Sequence, residues 1–491
     1  MREHPQQSRE ARLEREWLQL CELHLPVTHE GSPWRYHRTS PDGEPPQGWK
    51  LHLSATVLNA SRVLKKIAPL LTERGVQFKA PRSLQDVIRL NSGISAGYTQ
   101  VGKVITVYSR TSNEAVQLAK LLHKLTARMA GPSVPFDLRY TENSNVYYRF
   151  GGFQPVEIKQ ANGKKTFAIR GPDGKLIPDD RQIPKPDWVA DPFENIRRGR
   201  SKQSTGSNPL AKDYRIIKAL VQRGKGGVYQ AVDLTGDQPR LCLIKEGRRY
   251  GEVGWDGRDG NWRIKNEEQV LRELHAAGLK VPQVFNSFEL DGNAYIVTEF
   301  VDGESLHHFL ARLQRRIKIS LVLNYGVQLA TFFTQLHSLG WVWRDCKPLN
   351  IILTPKRELR PLDFEGSARI DRPDLMLWGT PGFIPPEWRA KIRQTGLPDD
   401  LYALGAILYL LITGRTPKVQ NPEPPRHWRK NLPDGLNDLI MSLLDPNAQA
   451  RPQVKLVLMK LRWMQRKWEQ RRSLQTISLS REVEGRRSLR A

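Results

Sequence analysis

The stretch Trp343-Arg-Asp-Cys-Lys-Pro-Leu-Asn350 decides the reading of this 491-residue chain. Phosphoryl transfer needs a carboxylate to orient the attacking hydroxyl, a cation near the transferring group and an amide oxygen on a metal ion. Asp345, Lys347 and Asn350 supply those three groups. A second carboxylate, Asp363 of Asp363-Phe364, follows 13 residues after Asn350, where it would hold magnesium against nucleotide phosphates. Short motifs match by chance, so the reading depends on whether the other parts of such a site lie around this one in order.

They do. Tyr214 to Val221 and Val228 to Asp233 read as two strands around the turn Gln222-Arg-Gly-Lys-Gly-Gly227, and Leu241-Cys-Leu-Ile-Lys245 is a buried-type strand ending in a lysine. Glu267 follows in Asn266-Glu-Glu-Gln-Val-Leu, then the strand-like Tyr295 to Val301. The series resembles the protein kinases. The resemblance implies that Asp345 and Lys347 act in catalysis and that Asn350 and Asp363 hold Mg2+. It implies that Lys245 pairs the phosphates of ATP or GTP, with Glu267 as its ion-pair partner and Glu268 as the second choice. Gly226 and Val228 would form the phosphate turn, and Glu299 and Val301 would offer backbone groups to the base. Val221 and Arg223 replace two consensus glycines, Trp343 replaces a histidine and Glu365 a glycine. Further on, Glu387 is expected to pair with Arg451, and Asp400 to cap the catalytic loop. Ser367 and Thr380 are the only hydroxyls between Asp363 and Glu387.

Ahead of this region, Trp49-Lys-Leu-His-Leu-Ser54 alternates polar and apolar residues, the period of a half-buried strand, so Lys50 and His52 should share a face. Ala60 to Leu71 and Glu114 to Met129 have helical spacing; Gln77 to Lys79, Lys103 to Tyr108 and Val146 to Phe150 are strand-like. Five segments, Trp49-Lys-Leu-His-Leu-Ser-Ala, Gly75-Val-Gln-Phe-Lys, Gly102-Lys-Val-Ile-Thr-Val-Tyr, Asp137-Leu-Arg-Tyr and Tyr147-Tyr-Arg-Phe-Gly-Gly-Phe, resemble the lyase domain of class III lanthipeptide synthetases. That domain is similar to bacterial effector phosphothreonine lyases. By the resemblance Lys79 is the base that takes an α-proton and His52 the acid. Lys50, Lys103, Arg139 and Arg149 would clamp the departing phosphate. A lysine serves as a base near neutrality only if burial or neighbouring cations bring its pKa well below about 10.4. Gln77 departs from the effector lyases, which carry a second lysine there. Alternating Lys and His also mark the solvated face of ordinary strands, and it is the serial match that favours a site.

Net charge is +26 with a pI near 10.1, which suits a polyanionic or phosphorylated partner without choosing among them. Nucleic acid is not the partner this reading favours. Cys21, Cys242 and Cys346 have no paired spacing, so neither a disulfide framework nor a zinc site is indicated, and a cytoplasmic location is expected. The N-terminus has no signal-peptide pattern, and the apolar run Leu401 to Thr413 is too short to span a bilayer. Residues 159–213 carry turn and linker chemistry, including an Arg-rich patch at Arg197 to Lys202, with a flexible boundary near Arg200 to Asp213.

The expected fold class is α+β. An extension (1–33) precedes a small α+β phospho-Ser/Thr lyase-like domain (34–158), a connector (159–213), a bilobal kinase-like domain (214–465) and a basic tail (466–491), expected to be disordered from Ser473. The expected activity is phosphorylation of Ser/Thr in a precursor peptide or protein, then elimination of the phosphate. A cyclase, absent from this sequence, would act separately. Two other readings stay open: a Ser/Thr kinase with a partner-binding N-terminal domain, and a pseudokinase scaffold binding polyanions.

Overall fold

The computed structural model describes residues 5–38, 45–159, 163, 165–198, 208–313, 316–374, 376–390 and 396–488. They form two compact units, Met1–Ile264 with Ser287–Ile296, and Lys265–Asn286 with Val297–Ala491. The chain is α+β throughout.

The first unit is built on a seven-stranded antiparallel sheet of β1 (Val27–Thr28), β2 (Trp34–Tyr36), β3 (Gln47–Leu53), β4 (Gln77–Pro81), β5 (Ile105–Tyr108), β6 (Leu138–Arg139) and β7 (Val146–Gly152), in the order β1-β2-β4-β5-β3-β7-β6. Strand alternation sends Trp49, Leu51 and Leu53 into the core and leaves Lys50 and His52 on the other face. Helix α2 (Ala60–Glu73) buries Val63, Leu64, Ile67 and Leu71, an i, i+4, i+8 stripe, against that core. Helix α4 (Ser112–Thr126) adds Ala115, Leu118 and Leu122. Each of these Val, Leu and Ile side chains contributes about 1.5–3 kcal/mol through burial.

The N-terminal extension belongs to this core. Helix α1 (Pro5–His24) buries Trp17 and Cys21 completely, and the Trp17 indole donates to the carbonyl of Pro81 at 3.2 Å. The Glu14 carboxylate accepts from Leu84 N at 3.1 Å, at the first turn of α3 (Leu84–Ser92), whose N-cap Ser83 accepts from Asp86 N.

The connector is ordered in its first half. Strands β8 (Glu157–Lys159), β9 (Lys165–Arg170) and β10 (Leu176–Pro178) make an antiparallel sheet, with Gly171 to Gly174 turning the β9–β10 hairpin. The Arg-rich patch at Arg197 to Lys202 lies outside the residues whose side chains are described.

Strands β11 (Tyr214–Arg223), β12 (Gly226–Asp233) and β13 (Arg240–Gly247) continue into a five-stranded sheet with Asn293–Glu299 and Val284–Leu290. The β11–β12 turn is tighter than its sequence suggests, only Gly224-Lys225, and it rests on the end of α3. Gly224 N donates to Ser92 O at 2.9 Å, and a Cβ on Gly224 would lie 1.6 Å from Asn91 O, so no other residue fits.

In the second unit, helices Ile319–Ser338, Leu397–Thr413, Leu436–Leu443 and Val454–Ser488 surround a buried apolar centre. The run from Leu401 to Thr413 is a buried helix. The last helix continues to Ser488, where a disordered tail was expected from Ser473. Residues 473–484 contain neither Gly nor Pro, and nothing there stops a helix already started. Among the described residues no helix is long and apolar enough to cross a membrane.

Candidate active sites

Sheet register assembles the first site. Across β4, β5, β3 and β7 the pairing aligns Gln77, Tyr108, Lys50 and Arg149 in one row. Two residues along, on the same face, lie Lys79, Thr106, His52 and Tyr147, with Arg139 opposite Tyr147 on β6. Lys103 reaches this face from just before β5. Its ammonium lies 2.8 Å from Asp137 Oδ1, and His52 Nδ1 lies 2.5 Å from Asp137 Oδ2, all three side chains being buried. Sequence reasoning gave Asp137 no role. The signal was present, since Asp-Leu-Arg-Tyr is one of the matched segments and Asp137 is its only acid.

Arg149 donates to Asp179 Oδ1 at 2.7 Å and to Asp180 O at 3.1 Å, while Asp179 also accepts from Gly152 N. Arg139 lies over the Tyr147 ring at 5.1 Å and donates to Glu142 O. Lys79 Nζ sits 4.4 Å from the Trp34 ring centroid and 5.7 Å from that of Tyr36. The Gln77 amide is committed to the backbone of Arg38, giving to its carbonyl at 3.0 Å and accepting from its N–H at 3.2 Å.

Burial is the main electrostatic force here, because it penalises the charged form of each base. It lowers Lys79 to about 8, with Arg181 adding repulsion. Lys50 falls to about 7, burial outweighing attraction to Asp179. His52 falls to about 4 despite its bond to Asp137. For Asp137 burial acts upward, but His52 and Lys103 together hold it at about 2, so the carboxylate is ionised. The result is a lysine able to lose its proton near neutrality among cations fit to hold an anion.

The second site lies in the second unit. Asp345 Oδ2 is 2.7 Å from Lys347 Nζ and accepts from Asn350 Nδ2 at 3.0 Å; Asp345 Oδ1 accepts from the Thr380 hydroxyl at 2.9 Å. Lys347 also donates to Thr380. Leu362 N donates to Asn350 O, which brings the Asp363 segment alongside. Burial raises Asp345, and the charge of Asp363 raises it further against the pull of Lys347. The carboxylate of Asp363 and the amide oxygen of Asn350 are oxygen donors of the kind suited to Mg2+.

The loop is supported from beneath. Asp400 is fully buried and accepts from Trp343 N at 2.9 Å, Arg344 N at 2.8 Å and His337 at 3.0 Å. Trp343 stacks on Phe364 at 5.4 Å and donates to Asp363 O. Asp363, at φ 64°, takes the left-handed position of the turn, so Glu365 is under no glycine requirement. Arg344, itself at φ 72°, pairs with Asp374 at 2.7 Å and donates to Gly366 O. Arg451 pairs with Glu387 at 2.7 Å. Of the two glutamates in the helix Gly260–Ala276, Glu267 is buried and accepts from Phe364 N, whereas Glu268 pairs with Arg272 at the surface.

The remaining nucleotide-side candidates are placed as follows. In the first unit Lys245 stands opposite Val228 across β12–β13. Gly226 has φ 155°, and a Cβ there would lie 1.7 Å from Glu246 O. In the second, Glu299 pairs with Arg360 at 2.8 Å and its N–H donates to Gln283 O, while Val301 is buried.

Residues 26–205 match the family described as RamC, N-terminal domain, and residues 224–464 match the protein kinase domain. The chain joins a RamC N-terminal domain to a protein kinase domain. It is 29% identical to the probable SapB synthase of Streptomyces coelicolor over 78% of this chain and 41% of that protein. The kinase domain is 28% identical to a probable serine/threonine-protein kinase of Clostridium perfringens, over 39% of this chain and 31% of that one. A Myxococcus xanthus serine/threonine-protein kinase is 28% identical over 50% of this chain and 48% of its own length. The chain thus spans less than half of each relative. The kinase domain is similar to serine/threonine-protein kinases, and the cationic site lies within the residues matched by the RamC N-terminal domain.

Proposed function

We propose that the chain phosphorylates Ser or Thr of a peptide and then eliminates the phosphate, leaving dehydroalanine or dehydrobutyrine. The observation that carries the reading is Lys79, a lysine lowered to about 8 on the sheet face it shares with Lys50 and Arg149 and in one row with Thr106 and His52, whose partner is Asp137, on the same chain as Asp345, Asn350 and Asp363.

In the first reaction Asp345 orients the peptide hydroxyl and Lys347 stands by the phosphoryl group. Asn350 and Asp363 would hold Mg2+, and Lys245, Glu267, Gly226, Val228, Glu299 and Val301 the nucleotide. When bound, ATP and Mg2+ supply the transferable phosphoryl group and neutralise its charge.

In the second reaction neutral Lys79 takes the α-proton as the Cβ–O bond breaks and phosphate leaves. His52, held through Nδ1 by Asp137, gives a proton from Nε2 to the phosphate oxygen. It is uncharged in the free site, and the phosphate dianion supplies the charge that raises its proton affinity. Lys50, Lys103, Arg139 and Arg149 receive the phosphate.

Mass spectrometry of a Ser/Thr-containing peptide incubated with the chain, ATP and Mg2+ tests this. The peptide should gain phosphate and finish one water lighter, and Lys79→Ala should stop at the phosphorylated product. Dehydration by that variant removes the lyase assignment. A stable phosphopeptide from the unaltered chain would make it a Ser/Thr kinase with a binding domain attached.

A further inference from the structure

We infer that Arg181, carried by the connector, completes the phosphate clamp of the first site and takes the place left by Gln77. This rests on the proposed elimination reaction and adds a residue to it.

Gln77, Tyr108, Lys50 and Arg149 form one row across the sheet. A cation at position 77 would close that row at its β4 end, but Gln77 is neutral and its amide is spent on the Arg38 backbone. The connector carries Arg181 to the Arg149 side of this row. The chain leaves β10 at Pro178, Asp179 pairs with Arg149 at 2.7 Å, and Asp180 O accepts from the same guanidinium at 3.1 Å. This fixes the backbone of the next residue, Arg181, beside Arg149. Its guanidinium rests on the Phe167 ring at 5.1 Å. Its charge acts on Lys50, Lys79 and Lys103 as well as on Arg149, so its repulsion reaches both ends of the row.

Among the described residues, the acids that bear on this site are already held. Asp137 is held by His52 and Lys103, and Asp179 by Arg149 and Gly152 N. Among the described residues none accepts a hydrogen bond from Lys50, Lys79 or Arg181, leaving three cations with donors free for an external anion. A phosphate monoester dianion fits, and an arginine offers it a two-pronged grip that a lysine lacks. Arg181 binds and takes no proton.

The test uses the full chain with inorganic phosphate and with a phosphothreonine peptide. Calorimetry measures affinity, and phosphate release from the peptide gives kcat and KM. Arg181→Ala should weaken phosphate binding and raise KM by about tenfold or more, and, with its repulsion on Lys79 removed, should move the limb of the elimination pH profile to higher pH. Arg181→Lys should lose less, and Gln77→Lys added to Arg181→Ala should recover much of the loss. If the unaltered chain binds and eliminates phosphate but Arg181→Ala matches it within about twofold, the Arg181 inference is overturned and the lyase reading stands. If the unaltered chain neither binds phosphate nor releases it from the peptide, both fall.

Discussion

Lys79 and Asp137 show how much a single position depends on its surroundings. Lys79 is lowered to about 8 by burial first and by Arg181 second. Its useful form is the neutral amine, which accumulates as pH rises, so kcat for elimination from a saturating phosphopeptide, where the bound dianion keeps His52 protonated, should climb with pH through the neutral range. Initial rates of phosphate release across that range check the limb. Asp137 carries two cations at once. In Asp137→Asn the buried Lys103 loses its counter-charge and His52 loses the group that fixes Nδ1–H. Elimination should fall about 100-fold or more, by analogy with an asparagine replacing a triad aspartate, while the phosphorylation step, measured by accumulated phosphopeptide, stays. Equal loss of both steps would mean that Asp137 only stabilises the fold.

Among the elements, the segment after Asp363 is tied down by its own residues. Kinase activation loops are commonly ordered when a phosphate arrives opposite an arginine. Here Arg344 is buried against Asp374, a carboxylate already encoded. Ser367 is buried, and Thr380 donates to Asp345. Removing one partner of a buried pair costs roughly 3–5 kcal/mol because the other charge is stranded. Asp374→Ala should therefore loosen residues 366–386, speeding limited proteolysis there and cutting peptide phosphorylation about 100-fold, while elimination from a supplied phosphopeptide continues. The glycine turn at Gly224-Lys225 is fixed differently, by its seat on Asn91 and Ser92 at the end of α3.

For the whole molecule, each proposed reaction draws its acid–base groups from one compact unit: His52, Lys79, Lys103 and Asp137 from the first, Asp345, Lys347 and Asn350 from the second. A substitution in one set leaves the other intact. An equimolar mixture of Lys79→Ala and Asp345→Asn chains should thus dehydrate a peptide that neither dehydrates alone, with mass spectrometry showing the phosphopeptide pass from one to the other. No dehydration in the mixture would mean that the phosphopeptide is not released between steps.

The amino-acid order by itself determined the α+β class, the two domains in sequence and the local motifs, because strand and helix periods and the spacing from Asp345 to Asp363 are short-range properties of the chain. It also placed Asp400 as the loop's cap and Arg451 opposite Glu387. Folding decided which distant groups share a space: Asp137 reaches His52 across 85 residues, and Asp179 and Arg181 arrive from a stretch that reads as a linker. It also drew α1 into the core and extended the last helix to Ser488. Charge and pattern are written along the chain, but burial, which sets the proton affinity of Lys79 and joins Lys103 to Asp137, exists only once strands far apart in sequence lie side by side.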